Sequence, residues 1–150
     1  PFSILLRGCS FLLPYEAGVM AALQELSPDI LNSASKVYGA SSGSIVATVM
    51  LCGCNIGKGW ELPFILCLKR LDVWKCWIIQ ILRAILNKFL PPNAHQLVSG
   101  KLHVILTRVR DWRSVVVSEF ASREDLIQAL VCSCFIPLYL GILPPIYHGV

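Results

Sequence analysis

Apolar and polar positions along the chain form short runs, separated by Gly, Pro and Ser, whose period changes in a regular order. Ser3-Ile4-Leu5-Leu6 reads as a short buried strand, and Gly8-Cys9-Ser10 as the tight turn that closes it. Pro14 suits the first turn of a helix, where its missing N–H leaves no intrahelical bond unmade. That helix is predicted through Tyr15 to Leu26, with Val19, Leu23 and Leu26 at helical spacing. Ser27-Pro28 stops it and caps a short second helix over Asp29 to Ala34. Val37-Tyr38 follows as a strand end, Gly39 to Gly43 as a sharp turn, and Ser44 to Leu51 as a buried helix. Strand, turn and helix repeating in that order are the α/β pattern.

The stretch from Trp60 to Leu90 has a different character. Trp74, Trp77, Ile78, Ile81, Ile85 and Phe89 fall on one helical face, with Arg83 and Asn87 opposite and Gln80 beside them. Between Lys58 and Lys88 lie six basic residues and two acidic ones. A basic helix with Trp on its apolar side can lie in a lipid interface. The same pattern also fits a helix that packs on a core and turns its polar side to water. Pro91-Pro92 ends it. Leu102 to Thr107 and Val115 to Phe120 then alternate as strands, joined by a hairpin turn at Arg110-Asp111-Trp112-Arg113. Ser122-Arg123-Glu124-Asp125 is a capping box opening a helix through Leu126, Leu130 and Val131, and Phe135-Ile136-Pro137 returns the chain to the core.

Composition narrows the classes. A chain of 150 residues fits one domain with one core. Hydrophobic residues at 55% and charged residues at 15% exclude disorder. The net charge of +4 is too mild to argue for nucleic acid, but it suits work beside an anionic lipid surface. Seven cysteines, an odd number scattered through apolar runs, point to buried thiols in a reducing, cytoplasmic setting. No signal-peptide n-region or cleavage site is present. Both ends read as cut, which leads us to expect a fragment of a longer chain. Val37 to Gly57 and Leu126 to Val150 are uncharged and long enough to span a membrane. The Gly/Ser cluster in the first and Pro137, Pro144 and Pro145 in the second make buried core the expectation for both.

Candidate chemistry centres on Gly39-Ala40-Ser41-Ser42-Gly43, a G-x-S-x-G pentapeptide between a strand and an apolar helix. A nucleophile elbow needs that context: the tight turn lifts the Ser41 hydroxyl clear of the sheet, over a helix N-terminus. A serine nucleophile also needs an oxyanion hole and a base. Backbone N–H groups of Gly8-Cys9-Ser10 are the candidate hole. Asp111 or Asp125 with His148 satisfies the chain order of a hydrolase triad, but both aspartates already have a structural role, in a turn and in a helix cap. His95 and His103 carry no catalytic signature either. Cys52-x-Cys54 and Cys132-x-Cys134 lack partners at metal-site spacing and read as thiols. No cofactor, metal or nucleic-acid motif is present in the sequence.

Several segments together are specific to a known family. They are Gly8-Cys9-Ser10-Phe11-Leu12 with Gly18, Tyr38-Gly39-Ala40-Ser41-Ser42-Gly43, and Leu90-Pro91-Pro92-Asn93-Ala94-His95. Further on come Gly100-Lys101-Leu102, Leu106-Thr107-Arg108-Val109, Val117-Ser118-Glu119-Phe120, and Cys132 to Pro137 with Tyr139, Gly141, Pro144 and Pro145. On these residues the chain resembles the patatin-like phospholipase domain family, in particular its animal adipose triglyceride lipase and adiponutrin branch. The resemblance covers nearly the whole chain, with Lys58 to Asn87 contributing almost nothing.

The resemblance implies a three-layer α/β/α fold, incomplete at its C-terminal end, with residues 1–150 as one patatin-like domain fragment. It implies a serine lipid acyl hydrolase or transacylase working through a Ser–Asp dyad, with Ser41 as nucleophile and Gly8, Cys9 and Ser10 at the oxyanion motif. That motif, G-x-G-x-x-G in the family, has Ser10 and Leu13 in place of its second and third glycines, which crowds the route to the N–H groups. The family's aspartate stands in an Asp-Gly motif a few residues past the segment matching Ile146 to Val150, and none of Asp29, Asp72, Asp111 and Asp125 precedes a glycine. These 150 residues alone are therefore expected to be inactive. The implied partners are an acyl-lipid substrate, a membrane or lipid-droplet surface, and a protein co-activator. The rival expectation is a pseudo-enzyme that binds lipid droplets or a lipase partner through Trp60 to Leu90.

Overall fold

The computed structural model describes residues 2–9, 12–54, 78–137 and 140–149. Four strands, β1 (Phe2–Leu6), β2 (Ala34–Ala40), β3 (Leu102–Arg108) and β4 (Arg113–Val117), form one sheet in the order β1-β2-β3-β4. The first three run parallel, and β4 returns antiparallel to β3 through the hairpin predicted at Arg110 to Arg113. Among the described residues six helices accompany them: α1 (Leu13–Leu26), α2 (Pro28–Ser33), α3 (Ser42–Leu51), α4 (Ile78–Phe89), α5 (Ala94–Val98) and α6 (Arg123–Cys134). This is the mixed α/β architecture expected of a patatin-like α/β/α fold. Among the described residues, no helix is long and apolar enough to cross a membrane.

The core forms around α3. Every residue from Ser42 to Met50 is buried, because this helix packs against β2 and lies among α1, α5 and α6. A helix apolar on all sides needs such a central position. Its two polar residues after Ser42 are satisfied locally: the Ser44 hydroxyl donates to the Ser41 carbonyl at 2.6 Å and the Thr48 hydroxyl to the Ser44 carbonyl at 2.7 Å. Val37, Leu102 and Val104 close the core from the sheet, and Leu126, Ile127, Leu130 and Val131 from α6. Ser122 caps α6 as predicted, its hydroxyl accepting the Asp125 N–H at 3.1 Å.

Several expectations need correction. The Ser3 to Leu6 strand is an edge strand, and within it only Leu6 is buried while Leu5 is 59% exposed. The first helix begins at Leu13, ahead of Pro14, and buries Leu13, Ala17 and Met20, leaving Val19 and Leu26 exposed. Its apolar residues encircle it, so spacing alone could not choose the buried face. Pro28 starts α2, and Ala34 opens β2 instead of closing the helix. The third helix starts at Ser42, directly after the turn residue. The fourth strand stops at Val117, beyond which Phe120 N–H donates to the Ser99 hydroxyl at 3.1 Å.

The α4 expectation also changes. Trp74 and Trp77 lie outside the described residues. Within α4 and just past it, the buried line is Leu82, Leu86 and Leu90, whereas Ile81 is 41% exposed. Arg83 bonds Glu124 and Gln128, and Asn87 accepts from Arg123, so these two polar residues face α6. The Arg123 guanidinium also donates to the carbonyls of Asn87 and Leu90, satisfying acceptors that the end of α4 would otherwise leave open.

Candidate active site

Ser41 is the single residue between the end of β2 and the start of α3. Its backbone has φ +52 and ψ −129, a conformation rare for a residue with a Cβ. Strand and helix can meet across one residue only because its neighbours are small. A Cβ on Gly39 would lie 2.4 Å from the Ser44 Cα, and one on Gly43 would lie 2.4 Å from the Leu6 carbonyl oxygen. Ser41 thus stands at the C-terminal end of the parallel strands, where open α/β sheets place their ligands. The N-terminus of α3 adds positive partial charge beside it.

The turn after β1 approaches from the other side. A Cβ on Gly8 would come 2.8 Å from the Ser41 Cβ, so Gly8 lies directly against the candidate nucleophile. The next N–H, that of Cys9, donates to the Ser42 hydroxyl at 2.9 Å. The Cys9 thiol reaches Glu16 Oε2 at 3.3 Å. Burial pushes both the Cys9 thiol and the Glu16 carboxyl up, which keeps the thiol protonated at neutral pH. Ser10 lies outside the described residues. Gly8 and Cys9 are therefore brought to Ser41, while the Cys9 amide already has a partner.

Two residues that the sequence reading named but did not assign to the site complete the surroundings. The Ser133 hydroxyl, near the C-terminal end of α6, accepts the Ser41 N–H at 2.8 Å and donates to the Ile105 carbonyl of β3 at 2.7 Å. The neighbouring Cys134 thiol is pushed up to about 12 by burial, against the opposing pull of the Ser41 hydroxyl. A single polar residue within the apolar Cys132-Ser133-Cys134-Phe135 run was the available signal.

The alternative triad does not assemble. His148 Nε2 lies 2.8 Å from Asp125 Oδ1, and its ring stacks on Tyr147. Asp125 and Ser133 lie eight residues apart on α6, about 12 Å along the axis at about 1.5 Å per residue. The Asp–His pair therefore sits at the opposite end of α6 from Ser41. Burial raises the Asp125 carboxyl, but the Ala121 N–H and His148 outweigh this and hold it below the usual range. Asp111 is held low by Arg108, which it meets at 2.8 Å and 2.5 Å in the β3–β4 turn. His103 packs against Tyr38 and bonds the Lys101 carbonyl. Among the described residues, no carboxylate or imidazole is hydrogen-bonded to Ser41, and no cluster of His, Cys, Asp and Glu could hold a metal ion. An apolar cleft of about 520 Å³ opens between the β3–β4 hairpin and the segment after α6, lined by Leu106, Val115, Val117, Phe135, Pro145 and Ile146, and Ser41 is not among its walls.

The chain is 40% identical over 159 residues to the Homo sapiens omega-hydroxyceramide transacylase, an alignment covering 100% of this chain and 29% of that protein. It is 37% identical over 159 residues to the Mus musculus 1-acylglycerol-3-phosphate O-acyltransferase Pnpla3, covering 99% of this chain and 37% of the relative. Against the Homo sapiens patatin-like phospholipase domain-containing protein 2 it is 38% identical over 162 residues, covering 99% and 31% respectively. The chain thus spans 29% to 37% of these relatives' length. The patatin-like phospholipase profile matches residues 4–150. With nearly the whole chain inside that match, the strand–Ser41–helix elbow included, the chain belongs to the patatin-like phospholipase family.

Proposed function

We propose that this chain carries the nucleophile half of a serine lipid acyl hydrolase or transacylase. The observation that carries this reading is the backbone of Ser41, at φ +52 between a parallel strand and a buried helix, with Gly8 against its Cβ. In the proposed reaction Ser41 Oγ attacks the ester carbonyl of an acyl lipid, and the tetrahedral oxyanion is held by N–H groups of the Gly8 turn. Collapse expels the alcohol and leaves an acyl-enzyme. Water as second acceptor gives hydrolysis, and a lipid alcohol gives acyl transfer. The names of two relatives, a transacylase and an O-acyltransferase, favour keeping acyl transfer beside hydrolysis.

The base in this reading is an aspartate of the family's Asp-Gly motif, in the segment that follows the match to Ile146–Val150. Without it, general-base assistance of roughly 10²–10⁴ in rate is lost. Catalysis at an acyl-lipid interface places the whole protein at a membrane or lipid-droplet surface.

A second reading, a lipid-binding pseudo-enzyme, draws on one observation: the Cys9 N–H is given to Ser42 and is not free for an oxyanion. One experiment separates the two. The whole protein is treated with a fluorophosphonate and assayed on a triacylglycerol emulsion, alongside Ser41→Ala. Labelling and hydrolysis that vanish in Ser41→Ala support the enzyme. Undiminished labelling of the variant overturns Ser41 as nucleophile, and droplet binding with no activity in either protein supports the pseudo-enzyme.

A further inference from the structure

We propose that Ser133 is the positioning residue for Ser41, through a hydroxyl inserted into the sheet ladder where β2 ends. The inference rests on reading Ser41 as the nucleophile. Ala40 stands opposite Ile105 in the β2–β3 register, so the next rung would join the Ser41 N–H to β3. In its place the Ser133 hydroxyl accepts from Ser41 at 2.8 Å and donates to the Ile105 carbonyl at 2.7 Å. One hydroxyl thus satisfies both groups while holding them a hydroxyl's width apart. That separation parts the end of β2 from β3 and lets the chain turn out of the sheet at Ser41.

The carbonyl side of Ser41 is held independently by the Ser44 N–H at 2.9 Å and the Ser44 hydroxyl at 2.6 Å. Both flanking peptide groups of the strained residue are therefore fixed, one from its own helix and one from α6. Ser133 does not touch the reacting atoms. It acts by fixing the direction in which the Ser41 Cα–Cβ bond points. Without the hydroxyl, the Ser41 N–H and Ile105 carbonyl either close on each other, drawing Ser41 into the sheet, or remain unpaired.

The test uses the whole protein and the rate of fluorophosphonate labelling per folded molecule, with kcat and KM on a short-chain ester. Ser133→Ala is expected to slow labelling and lower kcat by on the order of 10- to 100-fold with KM unchanged, the scale expected of a misplacement near 1 Å. Ser133→Thr, which keeps the hydroxyl, restores most of the rate, whereas loss of packing alone would not be rescued this way. Should Ser133→Ala fail to fold, Ser133→Cys keeps the bulk with a far weaker donor and acceptor, and is expected to show the same slowing. Wild-type labelling rates in Ser133→Ala or Ser133→Cys, with Ser41→Ala unlabelled, overturn this proposal alone. A rise in KM at constant kcat overturns it as well. Labelling that persists in Ser41→Ala removes the nucleophile reading and this proposal together.

Discussion

Ser41 holds a backbone conformation that costs a non-glycine residue about 1–3 kcal/mol, and its neighbours show what keeps it there. Gly43 lets α3 sit against the end of β1, where any Cβ would strike the Leu6 carbonyl. Gly43→Ala is therefore expected to lower stability by about 1–3 kcal/mol or more, because backbone cannot yield as a side chain can. A reduced urea midpoint at unchanged slope would verify it. Gly8→Ala acts differently, since its new methyl meets the Ser41 side chain at 2.8 Å. Fluorophosphonate labelling should drop sharply in this variant while the midpoint moves less than in Gly43→Ala. The elbow was legible in the sequence because its spacing is local: two glycines, an alanine and two serines in five consecutive positions. The role of Ser133 was not, because its bond to Ser41 joins residues 92 positions apart, and a lone polar residue in an apolar run does not say which partner it meets.

Elements were legible in kind and order, less so in orientation. The α/β alternation, the hairpin at Arg110 to Arg113 and the Ser122 cap all rest on turn and cap chemistry, which acts over a few residues. The buried faces of α1 and α4 were missed for a common reason. Both helices carry apolar residues on more than one side, so burial depends on what packs against them and not on period. In α4, Ile81 and Leu82 are neighbours in sequence, yet Ile81 is 41% exposed and Leu82 4%. Leu86→Ala should therefore cost about 2–5 kcal/mol, and Ile81→Ala only about 0.5 kcal/mol. Similar losses from both would contradict the observed orientation. Arg123→Ala removes donors to the last carbonyls of α4 from a charged group, a loss of about 1.5–3 kcal/mol. Thermal or urea unfolding of that variant measures it directly.

Across the whole molecule, the buried thiols give stability a dependence on alkaline pH. Burial pushes Cys52 up to about 12, with Cys54 adding to it, Cys132 to about 11 against the Arg83 charge, and Cys134 to about 12. The ordinary thiol value is 9.0. Above it the unfolded chain releases these protons first while the folded chain keeps them, so the unfolded state binds fewer protons and stability falls as pH rises. The contribution is complete below pH 9.0 and drains away between 9.0 and about 12. Urea midpoints measured from pH 8 to 11 should decline, and Cys134→Ala should make the decline shallower. An unchanged slope would mean that Cys134 titrates in the folded state as it does in the unfolded chain.

The hydrogen bond from Ser41 to Ser133 also sets a clock on biosynthesis. Ser133 leaves the ribosome 92 residues after Ser41, a delay of roughly 5–18 s at about 5–20 residues per second. Throughout that interval β2 and α3 can form, but the side chain that parts β2 from β3 does not yet exist outside the ribosome. β3 emerges before α6 does, so Ser41 and Ile105 can meet directly and pair in a closed ladder. Docking of α6 must then reopen that rung. A nascent chain halted before Ser133 is consequently expected to hold the sheet and the glycine turn while its serine stays inert, protected from acylation until α6 arrives.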